Sequence, residues 1–187
     1  AMWDTVPASH HGPTLEPGCG RGVFMALAPE NATVTGVELD PTTAKVAQAR
    51  FEGRHEVVTG SFADTPIANG QAVTAIGNVP FGAYRLFDPS DNPGRRLSIH
   101  DHFIAKATSG LAPGGITAMV SSRYTLDARD SAAREAIGAH GDFVGAVRLP
   151  TSAHQGHAGT KVVTDVLVFR GRPPGAEPDH APGFLEP

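Results

Sequence analysis

The chain has 187 residues, about the length of one ordinary globular domain, so two full domains will not fit. The net charge of −4 and the pI near 6.1 give no sign of a nucleic-acid-binding or membrane-binding surface. The single cysteine, Cys19, excludes an internal disulfide framework and a cysteine-based zinc site. With no long apolar run and no secretory pattern, we expect a soluble, cytoplasmic protein.

In chain order, the apolar patterns alternate between strand and helix. They predict a strand at 13–16, a helix at 23–28, a strand at 34–39, a helix at 42–51, strands at 56–59 and 72–77, a helix at 99–111, a strand at 116–121 and a helix at 131–139. This alternation is typical of a parallel sheet with helices on both faces. Strands at 143–149 and 162–169 follow without a helix between them, which predicts a hairpin and at least one antiparallel edge strand.

The composition also predicts the domain organisation. We expect an N-terminal extension at 1–12, one α/β domain at 13–171, and a tail at 172–187 that is disordered because of its many prolines and glycines. Residues 1–93 have a net charge of −5 and residues 94–172 a net charge of +4, so an anionic partner is expected to meet the second half.

A glycine-rich turn joins the first strand to the first helix, with the sequence Glu16-Pro17-Gly18-Cys19-Gly20-Arg21-Gly22. Alternate glycines permit positive φ and let the backbone approach a ligand closely. The G-x-G-x-G spacing, with an acid two residues before it, differs from the dinucleotide G-x-G-x-x-G and favours a ligand with a charged amino-acid portion. The alternative is a glycine turn that serves only to turn a corner.

Glu38 ends the second predicted strand, 16 residues after Gly22. A carboxylate at this place can accept hydrogen bonds from both hydroxyls of a ribose. Taken alone, a solvated acid at a strand end is an equally good interpretation. Together with the glycine turn, the ribose interpretation is the better one.

A third motif, Gly77-Asn78-Val79-Pro80-Phe81-Gly82, follows the strand AVTAI, where parallel strands open their ligand crevice. It resembles the [N/D/S]-P-P-[Y/F/W] signature of S-adenosylmethionine-dependent methyltransferases that act on exocyclic or amide nitrogens. The runs NVPFGAYRLFDP, SIHDHFIAKATSGLAPGGITAMVSSRYTLD, GAVRLP and GTKVVTDVLVF resemble the N6-adenine DNA methylase domain of phage and conjugative-element helicase–methylase proteins. The resemblance covers about residues 13–170.

The resemblance implies a class I, Rossmann-like methyltransferase fold: an α/β domain with a mostly parallel seven-stranded sheet and a C-terminal antiparallel hairpin. It implies S-adenosyl-L-methionine as cofactor and a base-flipped adenine in DNA as substrate. It also implies a larger helicase or recognition subunit, of which the chain is either a part or a partner. The implied catalytic residues are Asn78, Val79, Pro80 and Phe81. The implied cofactor residues are Glu16, Gly18, Cys19, Gly20, Gly22, Glu38, Leu39, Ser61, Phe62 and Asn78, and the implied substrate residues are Phe81, Tyr84, Arg85 and Arg123.

Val79 departs from the general signature, in which this position is proline. The backbone carbonyl that the family uses is still present, and a β-branched residue here is similar to the N-[L/I/V]-P-[Y/F] pattern of rRNA adenine dimethyltransferases. Two alternatives therefore remain: a methyltransferase acting on rRNA adenine or on a protein glutamine, and a non-catalytic module that binds cofactor or nucleic acid. The chain has no room for a target-recognition domain, so we expect weak, salt-sensitive DNA binding.

Several weaker candidates each have a plain structural alternative. Phe62 is placed to contact the cofactor adenine, or to pack in the core, and Asp64 to bind the adenine amino group or to cap a turn. Arg85, Arg95, Arg96, Arg123 and Arg129 could meet phosphates, or form local ion pairs. The pairs His100/His102 and His154/His157 have metal-like spacing, but their positions at a helix start and in a hairpin loop argue against a metal.

Overall fold

A computed structural model describes residues 2–89, 91, 94, 96–151 and 163–186. The predicted sites at Arg95, His154 and His157, and the predicted strand start at 162, lie outside these residues. The strands are β1 (Pro13–Pro17), β2 (Thr33–Glu38), β3 (Glu56–Thr59), β4 (Ala72–Asn78), β5 (Leu111–Ser122), β6 (Gly141–Leu149) and β7 (Thr164–Gly171). They form one seven-stranded sheet in the order β3-β2-β1-β4-β5-β7-β6.

In the described part of the chain, five α-helices flank the sheet: α1 (Val23–Ala26), α2 (Pro41–Phe51), α3 (Ile99–Ser109), α4 (Tyr124–Asp127) and α5 (Ala132–Gly138). One apolar cluster joins α1 and α2 to one side of the sheet, around Met25 and Phe51. A second cluster, around Phe103 and Leu167, joins α3 and α5 to the other side. The sheet is therefore covered on both faces, as the alternation of elements predicts. No helix in the described residues is long and apolar enough to cross a membrane.

The C-terminal strands refine the hairpin prediction. β7 is antiparallel to both β5 and β6, whereas the other pairs are parallel. The edge strand β6 is antiparallel to its neighbour, as the hairpin predicts, and β7 lies between β5 and β6. A local sequence pattern shows that two strands pair, but it does not show which of them pairs with the rest of the sheet.

The expectation of a disordered tail is wrong for the described residues up to 186. Phe184 is only 4% exposed, and its ring stacks on that of Phe143 with 4.5 Å between centroids. The Ala181 N–H donates to the Phe143 carbonyl at 2.7 Å, and the Asp179 N–H donates to the Asp142 carboxylate at 2.9 Å. Burial of one aromatic ring and these backbone hydrogen bonds offset the conformational entropy that a segment rich in proline and glycine loses on ordering.

The N-terminal segment also packs on the domain. Trp3 is buried, and its Nε1–H donates to the Phe24 carbonyl in α1 at 2.9 Å. His10 Nε2 lies 2.9 Å from the Gly114 carbonyl, and the His10 carbonyl accepts from the Thr74 hydroxyl. These contacts fix the segment over the face that carries α1.

Candidate active site

A cavity of about 260 Å³ opens at the carboxyl ends of β1, β2 and β4, where the strand order reverses. In open α/β sheets this switch point is the usual place for a ligand. We call it the first cavity. It is lined by Gly18, Val37, Glu38, Leu39, Gly60, Phe62, Asn78, Pro80, Tyr84, Ile99 and Phe103. Predicted cofactor residues in this lining are Gly18, Glu38, Leu39, Phe62 and Asn78.

Gly18 leaves space in the first cavity. A Cβ at this position would lie 3.5 Å from the Phe103 ring and 3.7 Å from Pro80 Cδ, and both of these residues line the cavity. The φ of Gly18 is +66°, a conformation that other residues rarely adopt. The turn is therefore shaped so that backbone, with no side chain, faces the space between these walls.

Glu38 holds the glycine turn against the end of β2. Its Oε2 accepts the Gly20 N–H at 2.9 Å, and its Oε1 accepts the Asp40 N–H at 2.8 Å. A carboxylate offers about four lone-pair directions, so each oxygen retains the capacity for another hydrogen bond. Because Glu38 also lines the first cavity, that capacity is available to a ligand with a hydroxyl pair.

Other predicted cofactor residues lie outside the lining of the first cavity. Glu16 is 2% exposed beneath the turn, and burial raises its pKa from 4.5 to about 8, although hydrogen bonds from the Met25 and Phe24 N–H groups act to lower it. Cys19 is buried, and burial together with the nearby acids raises the pKa of its thiol to about 12. These two side chains support the turn from below. Gly20, Gly22 and Ser61 are also absent from the lining.

Phe62 serves as both core and cavity wall. It is buried, and its ring centroid lies 4.9 Å from that of Phe103. Both rings line the first cavity, so the core interpretation and the ligand interpretation of Phe62 are compatible. Asp64 lines a different cavity, and its N–H donates to the Ser61 carbonyl at 3.1 Å.

The Asn78 motif begins at the last residue of β4 and continues past the end of that strand. Asn78 is exposed and lines the first cavity, whereas the Val79 side chain is buried in the core. The Val79 N–H donates to the Val120 carbonyl at 3.1 Å, a bond that proline cannot make. Valine here extends the pairing of β4 with β5 by one hydrogen bond.

Phe81 lines a neighbouring, larger cavity of about 520 Å³, which we call the second cavity. Its lining also includes Gly82, Ala83, Arg85, Ser98, His100, Asp101, Ser122, Tyr124, Ala128, Val163 and Thr164. Phe81 is 43% exposed and Tyr124 is 61% exposed. Tyr124 was not a predicted site residue, because nothing in the local sequence separates it from an ordinary exposed tyrosine at a helix start.

The predicted substrate residues divide between the two cavities. Tyr84 lines the first cavity, and Arg85 lines the second while its Nη1–H donates to the Arg96 carbonyl at 2.8 Å. The Arg123 guanidinium lies 5.0 Å from the Tyr124 ring centroid and 3.8 Å from the Asp127 carboxylate. The structure thus brings Arg123 to the rim of the second cavity through Tyr124.

Much of the positive charge in the second half of the chain is neutralised internally. Arg148 contacts Asp127 and Asp165, and Arg172 contacts Asp142. Arg134 is buried and donates to the Ala128 carbonyl at 2.7 Å. The net charge of residues 94–172 therefore overstates the charge that this half offers to an anionic partner. Among the described residues, no group of three acidic, histidine or cysteine side chains could hold a metal.

Comparisons with known proteins agree with this architecture. A family model described as a methyltransferase domain matches residues 15–77. A putative class I S-adenosylmethionine-dependent methyltransferase from Listeria monocytogenes superposes with a TM-score of 0.72 at 14% identity over 95% of this chain and 59% of its own. The chain has the class I methyltransferase fold. The predicted fold is thereby confirmed, with its mostly parallel sheet and antiparallel C-terminal strands.

Two further solved structures have the same fold. The methyltransferase subunit of a type I restriction-modification system from Streptococcus thermophilus has a TM-score of 0.72 at 15% identity, over 88% of this chain and 41% of its own. A predicted O-methyltransferase from Agrobacterium tumefaciens has a TM-score of 0.65 at 16% identity, over 96% of this chain and 82% of its own. This chain thus spans 59% and 41% of the Listeria and Streptococcus proteins. No curated protein matches the sequence.

The fold implies S-adenosylmethionine as the methyl donor, and the first cavity fits it. The gap at Gly18 is the clearest observation, because a single Cβ would occupy the space between Phe103 and Pro80. Glu38 would hold the ribose hydroxyls, and Phe62 would contact the adenine ring. The acceptor capacity of Glu38 and the aromatic wall at Phe62 suit these two parts of the molecule.

Proposed function

We propose that this chain transfers the methyl group of S-adenosylmethionine to the N6 amino group of adenine in DNA. The observation that carries the proposal is the position of the motif at 78–81. Its first residue, Asn78, lines the first cavity, and its last, Phe81, lines the second. Four consecutive residues thus span the space between a donor site and an acceptor site.

This methyl transfer depends on how the target nitrogen is positioned more than on a general base. S-adenosylmethionine supplies a methyl group bound to a positively charged sulfur. An adenine amino group is a poor nucleophile, because its lone pair is delocalised into the ring. Asn78 Oδ1 and the Val79 carbonyl accept hydrogen bonds from the two N–H groups of the amine. These bonds draw the nitrogen towards tetrahedral geometry and direct its lone pair into the first cavity. The nitrogen would take the methyl group as the methyl–sulfur bond breaks and leaves a neutral thioether, and the methylated amine would then lose one proton to solvent.

The second cavity would receive the extruded base. Its volume of about 520 Å³ lies within the usual range of small-molecule sites, roughly 300–1,000 Å³. Phe81 and Tyr124 offer exposed aromatic faces there, and base stacking on such a face contributes about 1–3 kcal/mol. Two aromatic residues beside a deep cavity favour a flat heterocyclic target.

DNA is the favoured polymer for two reasons. The sequence from Asn78 to Asp127 resembles N6-adenine DNA methylases, and the restriction-modification neighbour is compatible with a DNA substrate. Arg85 and Arg123, at the second cavity and its rim, would meet phosphates. With few uncompensated cations we expect weak, salt-sensitive binding, and we propose that a helicase or recognition subunit supplies sequence specificity.

The test compares three substrate classes with the methyl-labelled cofactor. Unmethylated DNA, RNA of the same sequence and a glutamine-containing protein are incubated with the protein, and the labelled product is identified after digestion. We expect N6-methyladenine from DNA, and at least a hundredfold less from Asn78→Ala. The control variant is Asn31→Ala, which removes an exposed asparagine from the turn before β2. Methylation of RNA or protein alone would overturn the choice of DNA, and cofactor binding with no turnover would favour a non-catalytic module.

A further inference from the structure

Lys106 is a buried cation in the middle of α3. Its side chain is 2% exposed. The Nζ ammonium donates to the Ala63 carbonyl at 2.9 Å, to Asp88 Oδ2 at 2.8 Å and to Asp91 Oδ2 at 3.0 Å. An ammonium has three N–H donors, so these contacts occupy all of them. The three acceptors belong to two separate parts of the chain.

One acceptor lies in the segment after β3, residues 60–65. Ala63 directly follows Phe62, which lines the first cavity together with Gly60. The Lys106 Nζ also lies 5.5 Å from the Phe62 ring centroid, within the range of a cation–π contact. Lys106 therefore fixes the wall against which the cofactor adenine would lie.

The other acceptors belong to the segment between β4 and α3, of which residues 79–89, 91, 94 and 96–98 are described. Asp88 is 1% exposed, and its carboxylate also accepts the Asp91 N–H at 3.1 Å and lies 3.5 Å from His102 Nε2. Upstream of Asp88, Tyr84 lines the first cavity and Phe81 lines the second. The anchor at Asp88 thus holds a segment that contributes to both sites.

We propose that Lys106 is a positioning residue that couples cofactor binding to target binding. The inference rests on the proposed function, because the segment after β4 carries the target motif. A ligand in the first cavity would contact Phe62 in the wall at residues 60–65, and the Lys106 ammonium would transmit that contact to Asp88 and the segment it anchors. Coupling of this kind is reciprocal, so a bound target would tighten cofactor binding by the same factor.

Binding measurements on a thermodynamic cycle test the coupling. The dissociation constant of an adenine-containing oligonucleotide is measured with and without saturating S-adenosylhomocysteine, the demethylated cofactor. In the wild type we expect roughly tenfold tighter binding with it, within the usual range of allosteric coupling. In the double variant Asp88→Asn, Lys106→Met, which removes one charge of each sign, we expect a ratio near one. Lys106→Arg, which keeps the charge, should retain most of the wild-type ratio of the two dissociation constants. Lys45→Met, on the exposed face of α2, should retain the whole of that ratio.

Hydrogen exchange gives a second readout that needs no DNA. The Leu86 N–H donates to the Leu97 carbonyl and the Ile99 N–H to the Tyr84 carbonyl, so both amides report on the segment after β4. Their exchange should slow when S-adenosylhomocysteine binds the wild type, and should not change in the folded double variant. Equal protection in the double variant, or no protection in the wild type, would overturn the proposal. If the double variant does not fold, the wild-type exchange still decides. If S-adenosylhomocysteine slows exchange of these two amides but DNA is not methylated, that result would contradict the proposed function and leave the role of Lys106 standing.

Discussion

Glu16 makes the stability of the domain depend on pH in a way that can be calculated. Its carboxyl is buried beneath the glycine turn, and its Oε2 has no hydrogen-bond partner among the described residues. Burial raises its pKa from 4.5 to about 8. The folded state therefore keeps a proton that the unfolded state releases between these two pH values. The contribution to stability is fully present below pH 4.5 and is lost as the pH rises through 8.

The magnitude follows from the two pKa values. A rise of roughly 3.5 pKa units corresponds to about 5 kcal/mol at 1.36 kcal/mol per unit, reached once the pH exceeds the folded pKa. At pH 7 about 3 kcal/mol of this has already been lost. Since a domain of this size is stabilised by only about 5–15 kcal/mol, the effect is large enough to measure.

Glu16→Gln tests this calculation, because glutamine has nearly the same shape and does not titrate. The free energy of unfolding is measured by urea denaturation at pH 5, 6, 7 and 8 for both proteins. The variant should gain stability relative to the wild type by about 1.3 kcal/mol per pH unit from pH 5 to 7 and by about 1 kcal/mol from pH 7 to 8, whatever constant offset the amide introduces. Other titrating groups are common to both proteins and cancel. Glu56→Gln, on the exposed side of β3, is the control and should follow the wild type. Parallel curves for Glu16→Gln and the wild type would refute the reasoning.

Three further substitutions test separate parts of the structure. Gly18→Ala should lower the affinity for S-adenosylhomocysteine at least tenfold in calorimetry. Its melting temperature should fall little more than corresponds to the roughly 1–2 kcal/mol that positive φ costs a residue with a side chain. Unchanged affinity would contradict the fit of the first cavity. Val79→Pro should lower the free energy of unfolding in urea by about 1–3 kcal/mol, because it removes the hydrogen bond to the Val120 carbonyl. The variant should keep measurable methylation, because residue 79 retains its own carbonyl. Complete inactivity in a folded variant would argue against a role for the carbonyl of residue 79. Phe184→Ala should cost about 3–5 kcal/mol by the same method, and a cost below 1 kcal/mol would mean that the tail does not pack on Phe143.

The sequence predicts the sheet well, because alternation of strand and helix patterns is a local property that survives in the fold. The place of β7 between β5 and β6 is not local, since it depends on which strand finds the open edge of the sheet. The ordered tail was missed for a related reason. Its composition indicates disorder, whereas its packing depends on one residue, Phe184, that meets Phe143 from a distant part of the chain.

Within the site, the motif residues were easier to predict than their supports. Gly18, Glu38 and Asn78 belong to short motifs, and all three line the first cavity, while their roles toward a ligand stay predictions. Lys106 was missed, because one lysine on an amphipathic helix is usually solvated and its partner Asp88 lies 18 residues away. No local signal was available, because the burial of ten of the eleven residues of α3, Lys106 among them, follows from how the helix packs in the fold.

The product formed on DNA tests the central claim most directly. The wild type and Asn78→Ala are incubated with unmethylated DNA and isotopically labelled S-adenosylmethionine, and the DNA is digested to nucleosides for mass spectrometry. Labelled N6-methyldeoxyadenosine should accumulate with the wild type and fall at least a hundredfold with Asn78→Ala, while both proteins bind S-adenosylhomocysteine. Equal product from the two proteins, or label on cytosine in place of adenine, would contradict the account.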